Sequence, residues 1–244
     1  MEKKLFKEID DIELNHWWFR GRRKIISGIL KNFVRSKKDS ALDIGFGTGL
    51  NANLLKEHSL RVSGLDPAYE AILFSKKRSP GMTVFHGSFP EYNFGRKYDL
   101  VTLFDVLEHI KDDAGAVKQL EELMNKDGVA LITVPALASL WTEHDVLLHH
   151  YRRYTKEGLK NLISNNTGLT IEKISYFNSF LFFPIFIFRS LRRIFNLGEG
   201  SSDFFEVPAV FNKLFYGIFS LESHLLKFLN LPVGVSLVCV VKKS

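Results

Sequence analysis

Two stretches of this chain bring together residue types that can do chemistry. The first is Asp43-Ile44-Gly45-Phe46-Gly47-Thr48-Gly49, where glycines allow a tight turn and let the backbone approach a ligand that Cβ atoms would repel. The spacing is G-x-G-x-G, with an acid two residues before the first glycine. A dinucleotide site normally spaces its glycines G-x-G-x-x-G to seat a pyrophosphate on a helix N-terminus, so this pattern argues against a nicotinamide cofactor. Asp66 closes the next apolar run, LRVSGLD. A carboxylate there can accept hydrogen bonds from both hydroxyls of a ribose.

The second stretch, WTEHDVLLHHYRRYT at 141–155, holds three histidines, two acids, two tyrosines and two arginines. Histidine titrates near neutrality, which makes His109, His144, His149 and His150 candidate general bases, with His144 and His149 favoured. His109 has a structural alternative, because it follows Glu108 at a strand-to-helix turn. Arg152 and Arg153 offer guanidinium forks to an anionic acceptor. Trp141, Asp145, His150 and Tyr151 complete the expected acceptor contacts. His144, Asp145, His149 and His150 are competent metal ligands, but their spacing matches no zinc pattern and would not set three on one helix face, so no metal is expected.

The elements that must hold these residues follow from periodicity. Short apolar runs, ALDIG, LRVSGLD, MTVFHG, YDLVTLFD and GVALITVP, alternate with helix-like stretches, which predicts an α/β fold with a parallel sheet and helices on both faces. Two more strands are expected at 169–177 and 235–243. The 141–155 stretch starts just after the fifth strand, at the carboxyl edge where open α/β sheets bind ligands, and is read as an acceptor-binding loop. An amphipathic helix from Trp18 to Phe33, basic residues outward, is expected to form a cap within residues 1–38. The core takes 39–176 and 231–244.

Residues 177–230 stand apart, with 13 of the chain's 22 phenylalanines. FNSFLFFPIFIF is uncharged but twelve residues long, short of the about 20 needed to span a bilayer. From Val207 to Leu229 apolar residues recur at helical spacing, with Asn212, Lys213, Ser220, Ser223 and Lys227 elsewhere. A hydrophobic helical insertion is therefore expected, acting as a lid, a homodimer contact or a membrane-surface element.

The single cysteine, Cys239, excludes an internal disulfide, and MEKKLFKEIDD has no apolar core for a secretory signal; the cytoplasm is the expected compartment. Residues 1–40 carry eleven Lys or Arg against six acids, most of the +6 net charge. Such a patch favours anionic partners.

With these motifs in order, the chain resembles the class I S-adenosylmethionine-dependent methyltransferases. LDIGFGTG corresponds to the family's first motif and Asp66 to its ribose acid. YDLVTLFDVLEHI resembles the D-V-L-E-H segment of the ubiquinone-biosynthesis O-methyltransferases, and MNKDGVALITVP the family's L-K-P-G-G-x-L strand. The likeness covers about residues 40–135. It implies a Rossmann-like seven-stranded sheet with an antiparallel last strand and S-adenosylmethionine across its carboxyl edge. Asp43, Gly45, Phe46, Gly47, Thr48 and Gly49 would line the methionine moiety, Asp66 and Pro67 the ribose, and Phe104 and Asp105 would face the reactive methyl. Ser88, beside Phe89, stands where the adenine-binding acid often sits, and Lys126-Asp127-Gly128 replaces Pro-Gly-Gly.

HWWFRGRR together with EHD…HHYRRYT resembles bacterial methyltransferases of surface-polysaccharide and glycolipid pathways. No Asn- or Asp-Pro-Pro-aromatic segment follows the fourth strand, which argues against nucleic-acid amino-methylation. The expected function is O-methylation of a small or lipid- or glycan-linked acceptor. The rivals are an RNA or protein methyltransferase, motivated by the basic N-terminal helix, and a non-catalytic cofactor-binding module.

Overall fold

The computed structural model describes residues 3–195 and 207–244, so residues 196–206 of the expected insertion lie outside the described residues. Seven strands form one sheet: β1 (Lys38–Ile44), β2 (Ser59–Asp66), β3 (Thr83–His86), β4 (Tyr98–Phe104), β5 (Met124–Pro135), β6 (Thr170–Phe177) and β7 (Ser236–Lys242). Their order is β3-β2-β1-β4-β5-β7-β6, and β7 pairs antiparallel with both β5 and β6. Each apolar run read as a strand is one. In β4, Leu100, Val101 and Leu103 are all fully buried, because helices cover both faces; hence the continuous rather than alternating apolar pattern.

On one face α5 (Asp113–Leu123) and α7 (Lys156–Asn166) pack through Val117, Leu120, Leu159 and Ile163. On the other lie α2 (Trp17–Phe33) and α3 (Ala52–His58), with Ile25, Ile26, Ile29, Leu30 and Leu55 in the core. Helix α1 (Lys3–Ile12) precedes α2, and α4 (Tyr69–Arg78) follows β2. A short α6 (Glu143–Leu147) forms part of the 141–155 stretch. The helical insertion contains α8 (Phe182–Ile194) and α9 (Ala209–Leu225).

Helix α9 packs along α2, so the N-terminal cap and the insertion share one layer. The crossing is close. A Cβ on Gly21 would stand 2.3 Å from the Phe219 ring, and Phe219 is fully buried, stacked on Phe177 and edge-on to Trp17. This approach explains two departures from the sequence reading. Ser220 and Ser223, outside the apolar stripe, are buried, because small side chains fit the crossing; their hydroxyls donate to the carbonyls of Gly217 and Ser220. Much of the stripe itself faces solvent, with Val210 76% and Leu229 56% exposed. The basic residues of α2 do not all point outward either: Arg22 is buried, for a reason that lies in the site.

Glu222 is also fully buried. Its Oε1 accepts hydrogen bonds from the Ser179 and Phe180 amides, so it fixes the entry to α8, and burial raises its pKa.

Gly21→Val should lower stability by about 1–3 kcal/mol by displacing Phe219. At Gly217, in the same interhelical layer, an added Cβ meets nothing within 4 Å, and Gly217→Ala should stabilise by about 0.5–1 kcal/mol. Urea unfolding midpoints of the two variants check both signs.

Candidate active site

From Ile44 the chain turns through Gly45 (φ 67°), Gly47 (φ 58°) and Gly49 (φ 81°), left-handed conformations that favour glycine. The glycines serve different ends. A Cβ on Gly45 would stand 2.6 Å from Val106, and one on Gly49 3.2 Å from Ser75, so these two allow close packing. At Gly47 nothing lies within 4 Å, which leaves that space to a ligand. Asp66 pins the turn: its Oδ2 accepts from the Gly47 amide and its Oδ1 from the Ala68 amide, both at 2.9 Å. Burial raises the Asp66 pKa, and those two amides oppose the rise. Thr48 donates to Glu13, which pairs with Arg78, so the segment between α1 and α2 is tied over the turn.

Asp43 lies beneath this turn, 1% exposed, and not on the cavity wall. Its Oδ1 accepts from Thr102 while Oδ2 has no partner, and burial pushes its pKa up to about 7. Ser88 is exposed and Phe89 sits in the core, so neither is brought to the cavity as expected for adenine contacts.

The cavity, of about 620 Å³, runs from Gly45, Phe46, Gly47, Asp66 and Pro67 past Phe104 and Asp105 to the 141–155 stretch. Asp105 adopts φ 58° just after β4 and pairs with Arg22 at 2.6 Å, while Thr133 donates to its other oxygen. That pair draws Arg22 inward. It also stacks the guanidinium over Phe104 and Trp18.

Asp145 organises the loop. It is fully buried and accepts from the Thr142 amide, from His150 Nδ1 at 2.8 Å and from Arg153 through two nitrogens. Burial acts to raise its pKa, but the His150 and Arg153 hydrogen bonds outweigh it and hold the carboxylate well below the usual range. Arg153 is thereby committed to Asp145 and to the Ala136 carbonyl, and Arg152 to Asp113 and the Lys111 carbonyl. The expected arginine clamp for an anionic acceptor is therefore replaced by internal pairing. Trp141, Asp145 and Arg152 do not line the cavity, whereas His144, His149, His150, Tyr151 and Arg153 do.

With Nδ1 held by Asp145, His150 keeps Nε2 as its remaining ring nitrogen. Its ring meets His109 edge-on at 4.6 Å. Burial, and then the neighbouring His150, push the His109 pKa down to about 4, so this imidazole is neutral at pH 7. His144 is buried; His149 is exposed, with φ 56°.

Residues 16–179 match the family described as a methyltransferase domain. The chain belongs to that methyltransferase family. A probable S-adenosylmethionine-dependent methyltransferase of Mycolicibacterium smegmatis is 26% identical over 169 residues, 68% of this chain and 64% of that protein. The ubiquinone biosynthesis O-methyltransferase of Haemophilus ducreyi is 22% identical over 117 residues, 42% of this chain and 50% of the other. This chain thus spans less than two thirds of the length of the curated relatives it matches. The plantazolicin methyltransferase BpumL, crystallised with a monoazolic desmethylPZN analog and SAH, shares the fold with a TM-score of 0.61 and 14% identity; the match covers 98% of this chain and 88% of that one.

The methyltransferase has features suited to the family's cofactor, S-adenosylmethionine. The open space at Gly47 and the carboxylate of Asp66 face the cavity together, with Asp105 further along its wall. Asp66 would hold the ribose and the Gly45–Thr48 backbone the methionine moiety.

Three residues here escaped the sequence reading as site members. Arg22 left a signal, since Trp18, Arg22, Ile25 and Ile29 fall on one helical stripe, so an arginine stood on the buried face. Glu13 left none. Glu108, fully buried with neither oxygen partnered, has its pKa raised by burial and by Asp105. Glu108, His109 and His150 bring ligand atoms within 4.8 Å of one another, a set that could hold a metal ion. The expectation of no metal weighed residues 144–150 alone and could not see a set assembled across two loops.

Asp66→Ala should weaken S-adenosylhomocysteine binding by about 3 kcal/mol, on the order of 100-fold in Kd, by removing charged hydrogen bonds. Gly47→Val should do the same by filling the ligand's space. Isothermal calorimetry reads both, and retained affinity in either would mean that the cofactor binds elsewhere.

Proposed function

We propose that this chain is an S-adenosylmethionine-dependent O-methyltransferase acting on a small or lipid- or glycan-linked acceptor. The observation that carries the reading is a single cavity that joins the glycine turn and Asp66 to an imidazole oriented by a buried carboxylate. Bound S-adenosylmethionine supplies an electrophilic methyl group. Phe104 and Asp105, between the two ends, border the place where methyl and acceptor would meet. Holding two reactants in line contributes up to about 7–11 kcal/mol, and the rigid β4 end provides a fixed wall for that.

His150 is the base this geometry favours over His144 and His149. Asp145 holds Nδ1–H, so Nε2 is the acceptor and the imidazolium that forms is stabilised by the carboxylate. Arg153 keeps Asp145 ionised and in place. His109, with its depressed pKa, is a weak proton acceptor and fits better as a hydrogen-bonding wall for the acceptor.

An RNA or protein acceptor receives less support. Two of the arginines that motivated it are engaged internally: Arg22 with Asp105, and Arg23 with the Glu13 carbonyl. A non-catalytic cofactor-binding module would not need an Asp145–His150 pair beside the cofactor turn. A cytoplasmic placement, peripheral to the membrane, belongs to this proposal; no described helix is long and apolar enough to cross a membrane.

His150→Asn should lower turnover about 100- to 10,000-fold while sparing S-adenosylhomocysteine affinity, and Asp145→Asn should act in the same direction. The assay follows transfer of labelled methyl from S-adenosylmethionine to cell extract, with mass spectrometry locating the product heavier by one CH2. Full activity in His150→Asn would move the base to His144 or His149, or show that the acceptor needs none.

A further inference from the structure

The solvent side of α8 and α9 carries more exposed apolar surface than the site explains. On α8, Phe183, Ile187, Leu191 and Ile194 are exposed at steps of four, four and three, one stripe of a helix. Val210, Leu214, Leu221, Leu225 and Phe228 make a second stripe on α9 and its continuation. Soluble monomers rarely expose contiguous apolar patches beyond a few hundred Å².

Among the described residues, the exposed charges on these two helices and their flanks are of one sign. In residues 178–195 and 207–235 the only acid is Glu222, and it is buried against the Ser179 and Phe180 amides. The exposed charged residues there are Arg193, Lys213 and Lys227. Glu222 thus faces the protein, and the outer surface of the described residues of α8 and α9 is apolar and cationic.

We propose that α8 and α9 dock this protein on an anionic lipid bilayer, with the two stripes set into the interface and Arg193, Lys213 and Lys227 at the headgroups. Interfacial helices bind in this way, by apolar area plus attraction to acidic lipid. A second copy of the chain fits less well, because a two-fold contact would bring these cations against their own copies with no exposed acid among the described residues of the surface to meet them. The geometry also ties the surface to the site. Ile185, Phe188 and Arg189 on α8 line the cavity, while Phe183, Ile187 and Leu191 point to solvent. Helix α8 is therefore the wall between cavity and bilayer, and a lipid-linked acceptor reaches the cavity without its chain leaving the interface. Only this last point rests on the proposed O-methylation.

The test is co-sedimentation of the whole chain with phosphatidylglycerol vesicles and with phosphatidylcholine vesicles, at low and high salt. The native protein should pellet with the anionic vesicles and be released by salt. A triple variant, Phe183→Ser with Ile187→Ser and Leu191→Ser, should partition on the order of tenfold more weakly. Lys213→Glu with Lys227→Glu should lose the preference for anionic lipid. S-adenosylhomocysteine titration verifies that each variant is folded, since none of these residues lines the cavity. Native protein that stays in the supernatant, or a triple variant that pellets equally, overturns the proposal. A dimer in sedimentation velocity that the triple variant dissociates, with no vesicle binding, assigns the surface to a second copy instead. Failure of the native chain to bind S-adenosylhomocysteine while it pellets with vesicles would count against the methyltransferase reading and support the docking surface.

Discussion

Strand β7 runs against the other six, and both ends of the β6–β7 connection therefore emerge at one edge of the sheet. Phe177, Pro135 and Ser236 stand level across β6, β5 and β7, at the carboxyl edge where Ile44, Asp66 and Phe104 also end their strands. An insertion in that connection is forced to lie over the ligand-binding edge. That constraint puts α8 along the cavity and α9 against α2, and it allows an element distant in sequence to wall the site.

Electrostatics then shape what that edge can hold. The Arg22–Asp105 pair, with Thr133 bridging, joins the cap helix to the ends of β4 and β5. A buried pair of this kind is costly to desolvate and more costly to break, because removing one partner strands the other charge. It fixes the cap where Glu13 can meet Thr48, so two N-terminal contacts converge on one ligand space. Asp145 does the same for the 141–155 stretch by holding His150 and Arg153 at once. In both cases an arginine that seemed available to a ligand is instead spent on orienting an acid.

Burial divides the phenylalanines of the insertion. Phe177 and Phe219 are fully buried and stacked, and Phe182 packs beside Leu140 and Val235. These hold the insertion down. Phe183 meets the Phe182 ring edge-on, but it and Phe228 are largely exposed. Fully burying one such side chain contributes roughly 1.5–3 kcal/mol, so the exposed set is a large unrealised stabilisation for the isolated chain.

The sequence by itself determined the strands, the parallel α/β class, the glycine turn and Asp66, because each depends on local period or on close spacing in one segment. Even Asp127, in place of a family glycine, is legible after the fact: it takes φ 58°, a left-handed position that aspartate tolerates better than most residues. What the sequence could not determine was which partner each charged group would choose. Arg152 and Arg153 looked free because Asp113 and Asp145 become their partners only when loops from different strands meet. Glu108 joined His150 for the same reason, and Glu222 turned inward because two amides at the start of α8 needed an acceptor. Pairing energies fall steeply with distance, and distance between segments is decided only by the tertiary fold.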